Sequence, residues 1–207
     1  MSTYIYLIRH SEPIKNINNI VNYDNLQIQN EKIPLSVEGE KKAENLIKKE
    51  ELKKIDVVFS SNYARTVSTA KYIAYKNNIN INIIEDFGER KYGINNWNEK
   101  PKDFEQRQFN DENYKIKDGE SRKEVTDRMY NALIKILEKN KGKKVAIISH
   151  ATAITFLLMK LGQYKDNKLY FNEKLLMDDK YSWNAPEIFK LTYEDTKLID
   201  IDNIRWY

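Results

Sequence analysis

The sequence predicts an α/β protein, a three-layer α-β-α sandwich with a mostly parallel sheet and an antiparallel edge strand at the C-terminus. Three observations predict it. Short β-branched or aliphatic runs at residues 4–8, 57–60, 81–84 and 145–149 are separated by helical patterns. Strands that alternate with helices need crossover connections, which make the sheet parallel and cover both of its faces. The tail instead reads as a strand at 187–193, a turn at 194–196 and a strand at 198–206, an antiparallel hairpin at a sheet edge.

The first run leads straight into Arg9 and His10; it lacks a basic start and is too short for a signal-peptide core. A loop spans 14–34. The first helix begins near Ser36 as N-cap and runs through Leu46 and Ile47. After the second run, a helix follows residues 62–65 toward Ile73. The stretch 86–119 is polar and aromatic, with Tyr92, Trp97, Phe104, Phe109 and Tyr114 at no clean period, and long irregular segments of this kind are functional or mobile. Ser121 and Glu124 then form a Ser-x-x-Glu capping box, and Val125, Met129, Leu133, Ile136 and Leu137 repeat at helical spacing as a core stripe. A last helix, 152–161, follows the fourth strand without a linker.

The whole chain, 1–207, reads as one domain with an irregular insertion around 86–119, and 207 residues are enough to bury a sizeable apolar core. With 41% hydrophobic and 32% charged residues, 6 Gly and 4 Pro, it is neither disordered nor repetitive. The 35 basic and 31 acidic residues leave a net charge of +4, spread along polar faces without the clustered basic stripe of a nucleic-acid partner. The chain has no cysteine, which excludes disulfides and thiolate chemistry. No apolar run approaches the roughly 20 residues of a membrane span, and a cytoplasmic protein is expected.

Chemistry concentrates on few residues. The chain has only 2 histidines, His10 and His150, and each closes an apolar strand. Ligands of open parallel sheets bind beyond the carboxyl ends of the strands, so both imidazoles are expected to project to one place and to reach solvent there. Two satisfied core histidines are the bland alternative, which their equivalent positions disfavour. Arg9 stands beside His10, and Arg65 lies at another strand-to-helix junction. Guanidinium forks match phosphate oxygens and stay charged, so these arginines are candidate phosphoryl ligands, with solvated surface arginines as the alternative.

These residues sit in motifs that resemble those of the histidine phosphatase superfamily, also called phosphoglycerate mutase-like. Leu7-Ile8-Arg9-His10-Ser11-Glu12-Pro13 resembles the family's opening motif. Ser60-Ser61-Asn62-Tyr63-Ala64-Arg65-Thr66 is similar to its second-arginine motif, Glu89-Arg90-Lys91-Tyr92-Gly93 to the segment supplying its acid, and Ile148-Ser149-His150-Ala151 to its second-histidine motif. Leu35-Ser36-Val37-Glu38-Gly39 and Asp118-Gly119-Glu120-Ser121 resemble weaker signposts, and the matches span 5–157 in the family's order. Ser11 stands where Gly is usual, Pro13 where Thr or Ser is common, Ala151 where Gly is frequent, and Trp97 lacks a following Gly.

The resemblance implies that His10 attacks phosphorus to form a phosphohistidine, that Arg9, Arg65 and His150 surround the equatorial oxygens, and that the Ala151 amide and Asn16 contact the phosphate. Asn16 is read evenly against an ordinary loop asparagine. Glu89 is the candidate general acid, with Glu85 and Asp86 as rivals. No metal or other cofactor is expected, because the histidines are not at ligand spacing and no carboxylate cluster stands beside them. The expected activity is that of a phosphatase, a phosphomonoester hydrolase. The alternatives are a phosphoglycerate mutase-type phosphotransferase and, in a different class, a silent module that binds phosphate esters. The expected partner is a small-molecule phosphate ester, with neither nucleic acid nor membrane, and the edge strand could support a homodimer.

Overall fold

Residues 1–15 and 25–205 are described by a computed structural model. The first strand, β1 (Ser2–Arg9), pairs in parallel with the fourth, β4 (Lys144–Ser149), and antiparallel with β8 (Glu187–Glu194). With β2 (Val57–Ser60), β3 (Ile81–Ile83) and β9 (Lys197–Ile204), these strands form a 6-stranded sheet in the order β3-β2-β4-β1-β8-β9. The mostly parallel sheet with its antiparallel C-terminal edge is the expected one. The second hairpin strand stops at Ile204, before the expected 206, which lies outside the described residues.

Alternation along the strands divides the core. Ile5 and Leu7 of β1, with Val145 and Ile147 of β4, face α5 (Arg122–Lys139) and α6 (Ala151–Leu161). Tyr6, Ile8, Ala146 and Ile148 point the other way, onto α3 (Ala64–Asn77) and the turn that follows α2 (Val37–Asn45). Side chains on a strand point to opposite faces at period 2, so near-continuous apolar runs are what a sheet covered on both sides requires. The Ser121–Glu124 capping box forms as expected, and the stripe from Val125 to Leu137 is buried.

Three regions differ from expectation. The first expected helix ends at Asn45 and tightens into a 3-10 turn at Leu46–Lys48. The supposed loops hold short helices: α1 (Leu26–Lys32), capped by the Asn25 side chain, and α4 (Phe104–Asn110). Each is only 7 residues long, without the repeats that announce a helix. Beyond α6, β5 (Gln163–Lys165), β6 (Lys168–Phe171) and β7 (Lys174–Met177) make a separate 3-stranded antiparallel sheet. No helix among the described residues is long and apolar enough to cross a membrane.

Candidate active site

Register brings the two histidines together. β1 and β4 run in parallel with Ile8 opposite Ile148 and Arg9 opposite Ser149, so His10 and His150 leave the sheet at the same level. The ring centroids lie 5.1 Å apart. The His10 amide donates to the Ser149 carbonyl at 3.0 Å, and the Ser61 amide to that of Ile148 at 3.1 Å, which fixes the chain beyond β2 in the same layer. Arg65 then enters from the first turn of α3 and lies between the rings. Its Nε is 3.1 Å from His10 Nε2 and its Nη2 is 3.2 Å from His150 Nδ1.

The contacts determine both tautomers. A carbonyl can only accept, so His10 Nδ1, 2.7 Å from the Ser11 carbonyl, carries the proton and Nε2 keeps its lone pair toward Arg65. Arg65 can only donate, so His150 Nδ1 is an acceptor and Nε2–H donates to Ser61 Oγ at 3.0 Å. The Ser61 hydroxyl donates in turn to Thr66 Oγ1 at 2.7 Å, and Thr66 ends the chain by donating to the Tyr63 carbonyl at 2.8 Å. Both rings are held neutral. Burial, and after it the Arg65 charge, pushes each well below the ordinary histidine value of 6.5.

Arg9 borders this cluster. Its Nη1 donates to the carbonyls of Trp183 at 3.1 Å and Asn184 at 2.9 Å, while its buried Nε has no partner among the described residues. Burial lowers the pKa of Arg9 and of Arg65, and the Glu89 carboxylate opposes that shift at both, so Glu89 acts electrostatically on each guanidinium. Glu89 is half-buried, whereas Glu85 and Asp86 are exposed. The Ala151 amide opens α6, which has no side-chain cap among the described residues. Asn16 lies outside the described residues. Neither Ser11 nor Ala151 has a positive φ, so these departures from glycine carry no backbone strain.

One expectation fails. Both rings are buried, His10 at 6% exposure and His150 at 0%, instead of reaching solvent. The reason is main-chain capping. The Asn30 carbonyl accepts from Arg65 Nη1 at 2.5 Å, Trp183 and Asn184 cap Arg9, and the Tyr63 ring packs 4.4 Å from His150.

Sequence reasoning also missed the supports. Arg128 on α5 pairs with Glu120 at 2.7 Å and donates to the carbonyls of Asp86, Gly88 and Glu89 at 2.5, 3.1 and 3.3 Å. Fully buried Glu187 accepts from the Asn184 amide at 2.8 Å and from the Tyr181 hydroxyl. A polar residue in an apolar strand was the available signal for Glu187; the capping carbonyls offered none.

Known proteins resemble this chain in sequence and in fold. A Salmonella arizonae protein described as "Probable phosphoglycerate mutase GpmB" is 27% identical over 161 residues, which covers 74% of this chain and 72% of that one. A mycobacterial glucosyl-3-phosphoglycerate phosphatase superposes with a TM-score of 0.72 at 15% identity, covering 100% of this chain and 99% of its own. An Entamoeba histolytica phosphoserine phosphatase, in a mutant form bound to phosphoserine, gives 0.68 at 18% identity over 96% of each chain. These two likenesses are of fold. The model of the histidine phosphatase superfamily (branch 1) matches residues 5–175. The chain belongs to that superfamily.

Proposed function

We propose that this chain hydrolyses phosphomonoesters through a phosphohistidine formed on His10. The observation that carries the reading is the Arg65 bridge, with one guanidinium fork on His10 Nε2 and His150 Nδ1 at once. A neutral imidazole with its Nε2 lone pair facing a cation is a nucleophile aimed at the place where a phosphoryl group is held.

In the first step Nε2 attacks phosphorus, the bond to the ester oxygen breaks, and the Glu89 carboxyl gives that oxygen its proton. In the second, the Glu89 carboxylate takes a proton from water. The resulting hydroxide attacks phosphorus, the N–P bond breaks, and His10 returns to the neutral ring. Arg9, Arg65 and the Ala151 amide bear the charge on the equatorial oxygens, the main service a protein offers phosphoryl transfer, and His150, whose Nδ1 accepts from Arg65, orients that guanidinium. Among the described residues the Arg9 Nε has no partner and the start of α6 no side-chain cap, which supports those assignments.

A mutase-type phosphotransferase is the second reading, favoured by the likeness to the Salmonella protein. It uses the same first step and delivers the phosphoryl group to a second hydroxyl. Labelled phosphate trapped on His10 and lost in His10→Ala, with release of inorganic phosphate from a panel of monoesters, is the expected result. Efficient 3-phosphoglycerate mutase turnover with little release overturns the hydrolase in favour of the mutase. Ester binding without adduct or release leaves a silent binding module.

A further inference from the structure

A cavity of about 360 Å³ opens beside the histidine–arginine cluster, between α4, α6, the small sheet and residues 178–183. Its size is that of a small-molecule pocket. Phe109, Tyr164, Tyr181 and Trp183 give it aromatic walls, with Phe109 and Tyr164 at 6.1 Å and Tyr181 and Trp183 at 5.8 Å between centroids. Asp178 and Asp179 also line it, and among the described residues no lysine or arginine does.

One residue links the cavity to the phosphoryl machinery. Trp183 lines it and caps Arg9 through its carbonyl at 3.1 Å. Thr155 lines it one helical turn beyond Ala151, the first residue of α6. Buried Glu187 holds the intervening strap at both ends, accepting from the Tyr181 hydroxyl and the Asn184 amide. A molecule anchored by its phosphate at Arg9 thus has this cavity as its neighbour.

We propose that the cavity receives the organic group of the phosphate ester, a flat aromatic group that carries no second negative charge. The proposal rests on the phosphomonoesterase reading and narrows its substrate class. The ester's anionic end matches the arginines; at the other end, ring faces favour a planar group, and the lining carboxylates Asp178 and Asp179 repel a carboxylate or second phosphate, while the one cation stacked on a wall among the described residues, Arg205, sits on the Tyr181 ring at 4.8 Å. Phosphoglycerates, which carry that carboxylate, are poor ligands on this account.

Phosphonates test this without turnover, because their C–P bond survives. In calorimetric titration of the full-length protein, phenylphosphonate is expected to bind about tenfold more tightly than 2-carboxyethylphosphonate. Gln106→Trp fills the cavity from the exposed face of α4 and removes that preference while leaving methylphosphonate binding unchanged; Met159→Trp does the same from α6 should the first variant fold poorly. Asp178→Asn with Asp179→Asn strengthens 2-carboxyethylphosphonate selectively. Equal affinity for the two phosphonates, tighter binding of the carboxylated one, or a phenyl preference that survives both filled variants overturns the proposal. Phenylphosphonate bound in the cavity with no phosphate released from phenyl phosphate instead overturns the hydrolase reading alone.

Discussion

Arg65 Nε donates to His10 Nε2 at 3.1 Å, so the cation proposed to hold the phosphoryl group rests on the nitrogen proposed to attack it. The same fork reaches His150 at 3.2 Å. A lysine keeps the charge but cannot span both rings, because an ammonium is a point charge on a flexible stem. Arg65→Lys is therefore expected to lower kcat/KM by roughly 100- to 1000-fold, the usual cost of one lost transition-state donor. Steady-state hydrolysis of phenyl phosphate measures it, and a loss under fivefold contradicts the bridging role.

The buried neutral rings give stability a pH dependence of definite sign. Each folded-state pKa lies well below 6.5, so below about pH 6.5 the unfolded chain binds protons that the native one refuses. The contribution is fully present above that pH and is lost as pH falls. Each ring costs up to about 1.4 kcal/mol per pH unit on the acid side. Urea unfolding between pH 7 and 5 should show the decline, and His150→Gln should flatten it. An unchanged slope in that variant counts against His150 as a source.

Gly93 and Gly119, from two separate motifs, meet back to back. Gly93 has φ +72, and a Cβ there would lie 2.2 Å from the Gly119 amide nitrogen. Gly93→Ala thus suffers both left-handed strain and collision with backbone, which cannot swing aside. It should cost roughly 2–4 kcal/mol and pull Lys91 from Glu120, whose amide donates to the Lys91 carbonyl at 2.9 Å. Chemical denaturation reads the loss; a variant as stable as the parent shows that the segment relaxes freely.

How much was legible follows from the kind of interaction. His10 and His150 were readable because apolar runs specify strands, and parallel register then carries the following residues to one level. Arg65 was readable as the start of a helix at a third strand end. The small sheet was not: its strands are 3 or 4 residues long and rich in lysine. Its turns did leave a trace, since Asp166-Asn167 and Asn172-Glu173 each place two successive residues at positive φ, as type I′ hairpins demand. The burial of the rings was out of reach, because the atoms that close the site over the arginines are carbonyls of Asn30, Trp183 and Asn184, and every residue type has one.

Arg128 and Glu120 form the support on which the proposed acid stands. Arg128 draws the carbonyls of Asp86, Gly88 and Glu89 onto one guanidinium while Glu120 holds it from behind and accepts from the Lys91 amide at 2.9 Å. The main chain on both sides of Glu89 is thereby fixed, although neither residue touches His10. Displacing a general acid by about 1 Å costs on the order of 100-fold in rate, and it costs binding little. Arg128→Ala should therefore reduce kcat by about 10- to 100-fold with KM nearly constant. The loss should fall on esters with poor leaving groups, such as alkyl phosphates, and should largely spare p-nitrophenyl phosphate, whose phenolate leaves without a proton. Arg128→Lys, which keeps the charge but reaches fewer carbonyls, should recover part of the rate. A uniform loss across good and poor leaving groups would mean that Arg128 only stabilises the fold, and Glu89 would then lose its claim to the proton.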